Sequence, residues 1–204
     1  MAIIIGKNME LINMKKIAVY LGSRSGKQIH QDAAQQLGRR LAQNNFEIIY
    51  GGANVGTMGL LANAALAVGG KVIGVYPKEF KGKKENHSRE IIHKELSELI
   101  LVDSMSHRKE VMEAMSDACI IMPGSFGTFD EFFEYVVNKQ LDFHTKPIYA
   151  LNLAGYYSPL IAQIDNMIEA GFIAESERSI IAFCDTVEEI IALLLSSCDK
   201  AKVL

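Results

Sequence analysis

Short apolar runs alternate with amphipathic segments along this chain, starting at residue 16. The short runs are rich in β-branched residues and are apolar on both faces, whereas the segments between them carry apolar residues at helical spacing. Strands that are apolar on both faces and that alternate with helices are typical of a parallel sheet covered on each side. The sequence therefore predicts an α/β fold, a Rossmann-like parallel sheet with helices on both faces.

The predicted elements follow one another in regular alternation. We predict strands over residues 16–21, 46–50, 71–76, 99–102, 118–122, 147–151 and 179–183. We predict helices over residues 28–43, 58–68, 104–116, 128–140, 157–170 and 187–195. Because the sequence contains no repeats and no linker rich in proline, glycine or serine, we expect a single nucleotide-binding domain over residues 14–204, preceded by an extension over residues 1–13.

The balance of charges argues against general nucleic-acid binding. The chain has 21 Lys and Arg residues against 24 Asp and Glu residues, a net charge of −3 at pH 7, and the two signs are interspersed. A nucleic-acid-binding protein normally shows a basic face or stripe. We therefore expect a small-molecule partner and no nucleic acid.

The distribution of apolar residues and cysteines indicates a cytoplasmic protein. No apolar run approaches the roughly 20 residues that span a bilayer, so we expect no membrane partner. The N-terminal residues show neither a leading basic region nor a credible cleavage site for secretion. Cys119, Cys184 and Cys198 are far apart and form no C-x-x-C pair, which favours reduced thiols over a disulfide framework.

Three glycine-containing loops follow predicted strands. In open parallel sheets, ligands bind beyond the carboxyl ends of the strands, and we expect these loops to converge there on one cleft. Glycine lets backbone N–H groups approach an anion, which a helix N-terminus then stabilises. The sequence therefore predicts a phosphate site without magnesium or another metal. The loops contain Gly22 with Ser23, Gly51 with Gly52, and Gly124 with Gly127.

Two of these loops resemble known nucleotide motifs without matching them. Residues 22–27 (GSRSGK) have one residue too few between their glycines for a Walker loop, and Gln28 follows the lysine where a Ser or Thr binds magnesium. Residues 52–59 depart from the G-x-G-x-x-G spacing of dinucleotide sites. We therefore expect no cofactor.

Arg108 has an unusual position on the predicted helix over residues 104–116. It lies three residues after Met105 and four before Met112, so it shares their apolar stripe, whereas its neighbours in sequence do not. A buried arginine is costly unless its charge is paired. One interpretation is a structural ion pair with an acidic residue. The other is a guanidinium aimed into the cleft at a phosphate or a sugar.

Glu131 also has two interpretations. It lies on the predicted helix over residues 128–140 and projects nearly opposite the predicted buried stripe. In the pattern Thr128-x-x-Glu131 the carboxylate of a capping box accepts the N–H of the N-cap residue, which is a structural role. A functional acid beside the glycine loop is the second interpretation, whereas Asp130 and Glu134 are interpreted as surface acids. The predicted stripe consists of Phe129, Phe132, Phe133, Val136 and Val137.

A polar stretch over residues 77–89 follows the third predicted strand. Such a stretch is usually a solvated loop, and a cationic lid over an anionic ligand is the alternative. Its basic residues are Lys78, Lys81, Lys83, Lys84, His87 and Arg89.

Taken together, these motifs resemble the LONELY GUY (LOG) family of cytokinin riboside 5′-monophosphate phosphoribohydrolases, for which older labels say lysine decarboxylase. Residues 123–131 (PGSFGTFDE) resemble the family signature P-G-G-x-G-T-x-x-E, and residues 105–109 (MSHRK) resemble the element M-H-x-R-K. The resemblance extends from about residue 16 to about residue 173.

The resemblance implies an enzyme without a cofactor that acts as a homodimer. Its reaction is the hydrolysis of the N-glycosidic bond of a purine or cytokinin riboside 5′-monophosphate, which releases the free base and ribose 5-phosphate. By resemblance, Arg108 and Glu131 are the catalytic pair. We expect the nucleotide to contact Gly22, Ser23, Gly51, Gly52, Lys109, Gly124, Ser125, Gly127 and Thr128.

Two positions depart from the family pattern. Ser125 replaces the second glycine of the signature, and Ser106 stands where the family has histidine. Because serine is small, we expect altered phosphate affinity rather than its loss. A non-catalytic nucleotide or molybdenum-cofactor carrier on the same fold is the alternative. The retained Arg108 and Glu131 favour the enzyme, whereas Ser125 and Ser106 favour the carrier. A decarboxylase would need a lysine for pyridoxal phosphate, and no accompanying cofactor motif is found near the lysines.

Overall fold

A computed structural model describes residues 15–80 and 91–200. In these parts of the chain seven strands alternate with six α-helices, as predicted. The strands are β1 (Lys16–Tyr20), β2 (Glu47–Tyr50), β3 (Val72–Pro77), β4 (Glu98–Val102), β5 (Ala118–Ile121), β6 (Ile148–Leu151) and β7 (Ile181–Cys184). The helices are α1 (Gln28–Gln43), α2 (Gly56–Leu66), α3 (Met105–Met115), α4 (Phe126–Gln140), α5 (Ser158–Glu169) and α6 (Val187–Lys200). The predicted extension over residues 1–13 and most of the polar stretch, residues 81–89, lie outside the described residues.

The strands form one parallel sheet in the order β4-β3-β2-β1-β5-β6-β7. The chain builds outward from β1 to β4, and β5 then returns to pair with β1 on its other side. The boundary between β1 and β5 is therefore the topological switch point, where the loops that follow the two strands separate and leave a crevice. The predicted α/β, Rossmann-like sheet is confirmed.

The sheet has a helical layer on each face. Alternate residues of β1 point to opposite layers: Ile17 and Val19 pack with α1, α2 and α6, whereas Ala18 and Tyr20 pack with α3, α4 and α5. Because both faces of the central strands are buried, their sequences are apolar throughout. A charged side chain on the inner face of α3 or α4 therefore lies against an apolar layer and needs an explanation.

The N-terminus of α4 differs from the prediction. The helix begins at Phe126, two residues earlier than expected, and Ser125 is its N-cap residue. Thr128 is the third helical residue and is buried, so the capping-box interpretation of Glu131 is wrong. Glu131 is the sixth helical residue, too far along the axis to accept the N–H of the N-cap residue. Gly127 is the second residue of the helix rather than part of the loop. Its φ is not in the left-handed region, and a Cβ there would meet no atom within 4 Å, so neither the backbone nor the packing requires glycine at this position.

The buried stripe of α4 also differs from the prediction. The buried residues are Thr128, Glu131, Phe132 and Tyr135, at helical spacing. Phe133 and Val137, which were expected to be buried, are 39% and 43% exposed. Glu131 therefore faces the core rather than the side opposite to it. Glu131 is therefore not a helix cap, and the burial of its carboxylate in the core needs another explanation.

No helix in the described parts of the chain combines the length and the apolar character that a bilayer-crossing segment requires.

Candidate active site

The three predicted glycine loops meet at the switch point. A Cβ on Gly22, after β1, would lie 3.6 Å from the Cα of Gly124, after β5. The hydroxyl of Thr57, in the first turn of α2, donates a hydrogen bond of 2.8 Å to the Gly22 carbonyl. Gly56, which has a φ of +51°, packs against the Ser23 backbone so closely that a side chain has no room. The loops after β1, β2 and β5 are therefore in contact, as the sequence predicts.

A cleft of about 260 Å³ opens between the loop after β1 and the loop after β5. Of the predicted binding residues, Gly22, Gly124 and Ser125 line it. The described residues that line the cleft include no acidic side chain. The remaining lining residues are Arg24, Ser25, Gly26, Lys27, His30, Thr57, Pro123 and Tyr156.

The wall of the cleft beside α1 is cationic. Arg24 and Lys27 are exposed, and neither forms an ion pair within the described parts of the chain. His30 accepts a hydrogen bond from the Lys27 N–H at its Nδ1 atom, over 3.3 Å. Partial burial and the charge of Lys27 lower the pKa of His30, so its ring is mainly neutral at pH 7. Two uncompensated positive charges on one wall suit an anionic ligand.

The N-terminus of α4 opens at the same cleft. The Ser125 side chain makes no capping hydrogen bond, and the first helical bond runs from the Phe129 N–H to the Ser125 carbonyl over 3.0 Å. The N–H groups of the first turn thus lack the side-chain acceptor that usually caps a helix. An uncapped helix N-terminus beside two cations is an arrangement that binds phosphate.

Arg108 and Glu131 form a buried ion pair between α3 and α4. The Nη1 atom of Arg108 lies 3.7 Å from the Oε1 atom of Glu131, and the two side chains are only 4% and 8% exposed. The acidic partner that the first interpretation of Arg108 requires is therefore present, and it is Glu131, the second candidate catalytic residue. Neither side chain lines the cleft.

The guanidinium of Arg108 has unused hydrogen-bonding capacity. Its Nη1 atom lies 3.6 Å from the sulfur of Met105, a weak acceptor, and its Nε atom has no hydrogen-bond partner within the described residues. Arginine carries five N–H donors, and leaving buried donors unsatisfied destabilises the fold. A costly arrangement of this kind in a native protein points to a functional role.

Gly51 makes room for this guanidinium. A Cβ at Gly51 would overlap the Nη2 atom of Arg108, so the first glycine of the loop after β2 is required by packing against Arg108. Gly52 has a φ of +79° and lies against Gly74 of β3. Among the described residues, Gly51 and Gly52 contact Arg108 and β3 and do not line the cleft.

Tyr20 completes the surroundings of the ion pair. Its side chain is buried at the end of β1. Burial raises the pKa of its hydroxyl well above the ordinary value, and nearby Cys119 and Glu131 raise it further. The ion pair therefore lies beside a neutral phenol in an apolar layer, where electrostatic interactions are stronger than in water.

Lys109, a predicted binding residue on α3, does not line the cleft. Its Nζ atom lies 3.0 Å from Asp130 and 2.5 Å from Glu134, both on α4. These contacts tie α3 to α4 and neutralise the lysine. Of the other predicted binding residues, Thr128 is buried against Gly124, whereas Ser23 and Gly127 are exposed.

Arg24, Lys27, His30 and Tyr156 line the cleft but were not predicted as binding residues. The signal for the first three was their position: they follow the glycine turn after β1 and begin the next helix, at the edge where the ligand is expected. No group of three or more potential metal ligands occurs among the described His, Cys, Asp and Glu side chains.

Comparison with known sequences identifies a family. Residues 58–194 match a family model described as "Possible lysine decarboxylase". A rice (Oryza sativa subsp. japonica) protein named "Probable cytokinin riboside 5′-monophosphate phosphoribohydrolase LOGL2" is 41% identical over 181 residues, which are 88% of this chain and 72% of the relative. An Arabidopsis thaliana phosphoribohydrolase, LOG2, is 38% identical over 88% of this chain and 82% of its own length. The corresponding enzyme of Rhodococcoides fascians is 39% identical over 89% of this chain and 90% of its own length.

Solved structures share the fold at lower identity. The molybdenum cofactor binding protein of Rippkaea orientalis superposes with a TM-score of 0.66 at 20% identity, covering 91% of this chain and 98% of that one. The molybdenum cofactor carrier protein of Chlamydomonas reinhardtii has a TM-score of 0.65 at 19% identity, covering 92% and 99% of the two chains. These likenesses establish the fold alone. The sequence relatives and the family match show that the chain belongs to the LOG family.

Proposed function

We propose that this protein hydrolyses the N-glycosidic bond of a purine nucleoside 5′-monophosphate. The C1′–N9 bond breaks, the oxygen of a water molecule bonds to C1′, and a proton reaches the departing base, so the products are the free base and ribose 5-phosphate. Relatives named as phosphoribohydrolases are 38–41% identical to most of the chain. The observation that carries the proposal is the buried Arg108–Glu131 pair, in which the Nε atom of Arg108 has no hydrogen-bond partner within the described residues.

The 5′-phosphate binds at the N-terminus of α4 in this proposal. The N–H groups of Gly127 and Thr128 and the loop at Gly124 and Ser125 surround it, and Gly22 closes the other side of the cleft. The open space beside Gly127 leaves room for the anion. The cations on the α1 wall attract the phosphate dianion.

The ribose then extends along α4 toward Glu131. This residue lies five positions after Phe126, about 7.5 Å along the helix axis. Hydrolysis of a glycosidic bond passes through an oxocarbenium-like transition state with positive charge at C1′. The Glu131 carboxylate stabilises this charge and orients the attacking water, and the low-dielectric surroundings strengthen the effect. Arg108 holds the carboxylate and uses its remaining donors to anchor the nucleotide and assist the departing base.

The substrates that we propose are AMP and cytokinin riboside 5′-monophosphates, in line with the names of the relatives. The test incubates the protein with AMP and with isopentenyladenosine monophosphate, and chromatography measures the free base. Adenosine and isopentenyladenosine serve as controls, because they lack the phosphate. Base release from the nucleotides but not from the nucleosides is the expected result. Nucleotide binding without any base release would contradict the proposal and favour a carrier.

We propose that the protein is a homodimer that acts in the cytoplasm. Phe133 and Val137 of α4 are exposed beside Ile164 and Met167 of α5, and no residue of α5 is fully buried. An apolar surface of this kind marks an interaction site, here for a second copy of the chain. Light scattering should give twice the chain mass for the wild type and the chain mass for Val137→Glu, and a monomeric wild type would contradict the proposal.

Cys119 and Cys184 are buried thiols, which accords with the reducing compartment that the proposed cytoplasmic location implies.

A further inference from the structure

Two consecutive tyrosines hold the segment that connects β5 to α4. The hydroxyl of Tyr157 donates a hydrogen bond of 2.8 Å to the Met122 carbonyl, and the hydroxyl of Tyr156 donates one to the Gly124 carbonyl. Pro123 lies between the two acceptors. The two rings pack edge to face, with centroids 5.1 Å apart. The segment after β6 thus holds the segment before α4 by two hydrogen bonds, to the carbonyls of Met122 and Gly124.

The turn before the tyrosines is built to present them. Ala154 and Gly155 have φ values of +51° and +73°. The side-chain oxygen of Asn152 accepts a hydrogen bond of 2.7 Å from the Tyr157 N–H, and its amide donates one of 3.1 Å to Asp185. Alanine rarely adopts the left-handed region, and it persists there only where surrounding contacts determine the backbone.

The hydrogen bond from Tyr156 controls the direction of a neighbouring donor. The carbonyl of Gly124 and the N–H of Ser125 belong to one planar peptide group and point in opposite directions. A hydroxyl that holds the carbonyl therefore also orients the Ser125 N–H and the start of the first turn of α4. The ring of Tyr156 in turn packs edge to face on His30, with centroids 5.8 Å apart, which connects it to the α1 wall.

We propose that Tyr156 is a positioning residue for the phosphate subsite, supported by His30. This inference rests on the proposed function, in which the N-terminus of α4 binds the 5′-phosphate. Tyr156 acts through the Gly124–Ser125 peptide at the start of α4, more than one helical turn before Glu131. Its hydroxyl therefore contributes to binding of the phosphate group and not to the chemical step.

The test is the variant Tyr156→Phe, which removes the hydroxyl and keeps the ring. We expect KM for AMP to rise about three- to tenfold with kcat within about twofold, the effect of one net hydrogen bond. Calorimetry should show the same loss of affinity for ribose 5-phosphate and an unchanged affinity for adenine. The matched control is Tyr149→Phe, because its hydroxyl contacts Ser197 over 3.4 Å, away from the cleft, and this variant should leave all the constants unchanged.

The outcomes separate this inference from the proposed function. Wild-type affinity of Tyr156→Phe for ribose 5-phosphate would overturn the positioning role, as would an equal loss of affinity for adenine. Weakened AMP binding in Tyr156→Phe, with no base release even by the wild type, would support the positioning role and overturn hydrolysis. A wild type that binds neither AMP nor ribose 5-phosphate would overturn both.

Discussion

Two polar clusters lie between α3 and α4, one near the carboxyl ends of the strands (the carboxyl edge) and one near their amino ends (the amino edge). At the carboxyl edge, Arg108 and Glu131 are 3.7 Å apart, and the Arg108 Nε atom has no hydrogen-bond partner in the described residues. At the amino edge, Glu113 is surrounded by donors. The Asn138 amide donates 2.8 Å to its carboxylate, and the Lys146 ammonium and the Ser116 hydroxyl donate to its backbone carbonyl over 2.5 and 3.1 Å.

The difference between the clusters separates structure from function. The donors that bond to Glu113 hold the two helices on the sheet and leave its carboxylate and carbonyl little capacity for a ligand, although the Nδ1 atom of His144 in the same cluster has no hydrogen-bond partner within the described residues. The guanidinium of Arg108 is more deeply buried, at 4% exposed against 20% for the Glu113 side chain, and its Nε atom lacks a partner in the described residues, which lowers stability without a structural gain. We therefore assign the Arg108–Glu131 pair to chemistry and the Glu113 cluster to stability.

The largest effect is expected from Glu131→Gln, which keeps the shape and removes the charge. We expect kcat for base release from AMP to fall about 100- to 1,000-fold, because a neutral amide does not stabilise an oxocarbenium-like transition state. Steady-state kinetics with chromatographic detection of the base measures this effect. The matched control is Asp130→Asn, which removes the adjacent and exposed carboxylate and should change kcat by less than about twofold. An equal loss in both variants would contradict the assignment.

A smaller loss of activity is expected from Gly51→Ala. The added methyl group overlaps the Arg108 guanidinium and displaces it from its position beside Glu131. We expect kcat to fall about 10- to 100-fold, since misplacement by about 1 Å has effects of this size. Kinetics on the folded variant, verified by circular dichroism, measures the change. Unchanged kcat would show that the position of Arg108 is unimportant.

The Glu113 cluster should respond in the opposite way. In Glu113→Ala the Asn138 amide loses its acceptor, and we expect the free energy of unfolding to fall by about 1–2 kcal/mol with kcat within about twofold. Urea denaturation and base release at 25 °C would measure the two quantities. Loss of activity without loss of stability would reverse the comparison.

The smallest effect concerns His144, which belongs to the same cluster. Its Nε2 atom contacts the Tyr135 carbonyl over 3.1 Å, its Nδ1 atom has no hydrogen-bond partner among the described residues, and burial lowers its pKa. Between that lowered pKa and the ordinary value near 6.5 the unfolded chain binds more protons, so the free energy of unfolding falls as the pH falls through this window. His144→Gln should show a shallower fall between pH 7 and pH 5. An unchanged slope would show that His144 contributes nothing to this dependence.

The sequence was sufficient for the fold because the strands are apolar on both faces and the segments between most of them carry apolar residues at helical spacing. It was insufficient where one pattern fits two geometries. Thr128-x-x-Glu131 matches a capping box, but Phe126 and Gly127 are also able to be helical, and the actual start of α4 moves Glu131 into the core. Likewise, the five apolar residues of the predicted stripe on α4 are divided between the core and an exposed face of the helix. Phe133 and Val137 lie on the exposed face and were wrongly expected to be buried.

For the site, spacing identified the unusual position of Arg108 but not its partner. The contact with Glu131 depends on how α3 and α4 pack against the sheet. From the sequence, only the resemblance to the LOG family indicated that the two residues act as a pair. The contact of Gly51 with Arg108 and the hydrogen bond from Tyr156 to Gly124 are long-range contacts that no local pattern encodes.

The central claim is that the Arg108–Glu131 pair exists for chemistry and not for stability. The most direct measurement compares base release from AMP and the free energy of unfolding in the double variant Arg108→Met/Glu131→Gln. Uncharged residues of similar volume replace a buried ion pair with little or no loss of stability, so we predict a free energy of unfolding within about 1 kcal/mol of the wild type, or higher, and no detectable base release. Base release at the wild-type rate, or a loss of about 3 kcal/mol or more in stability, would contradict the claim.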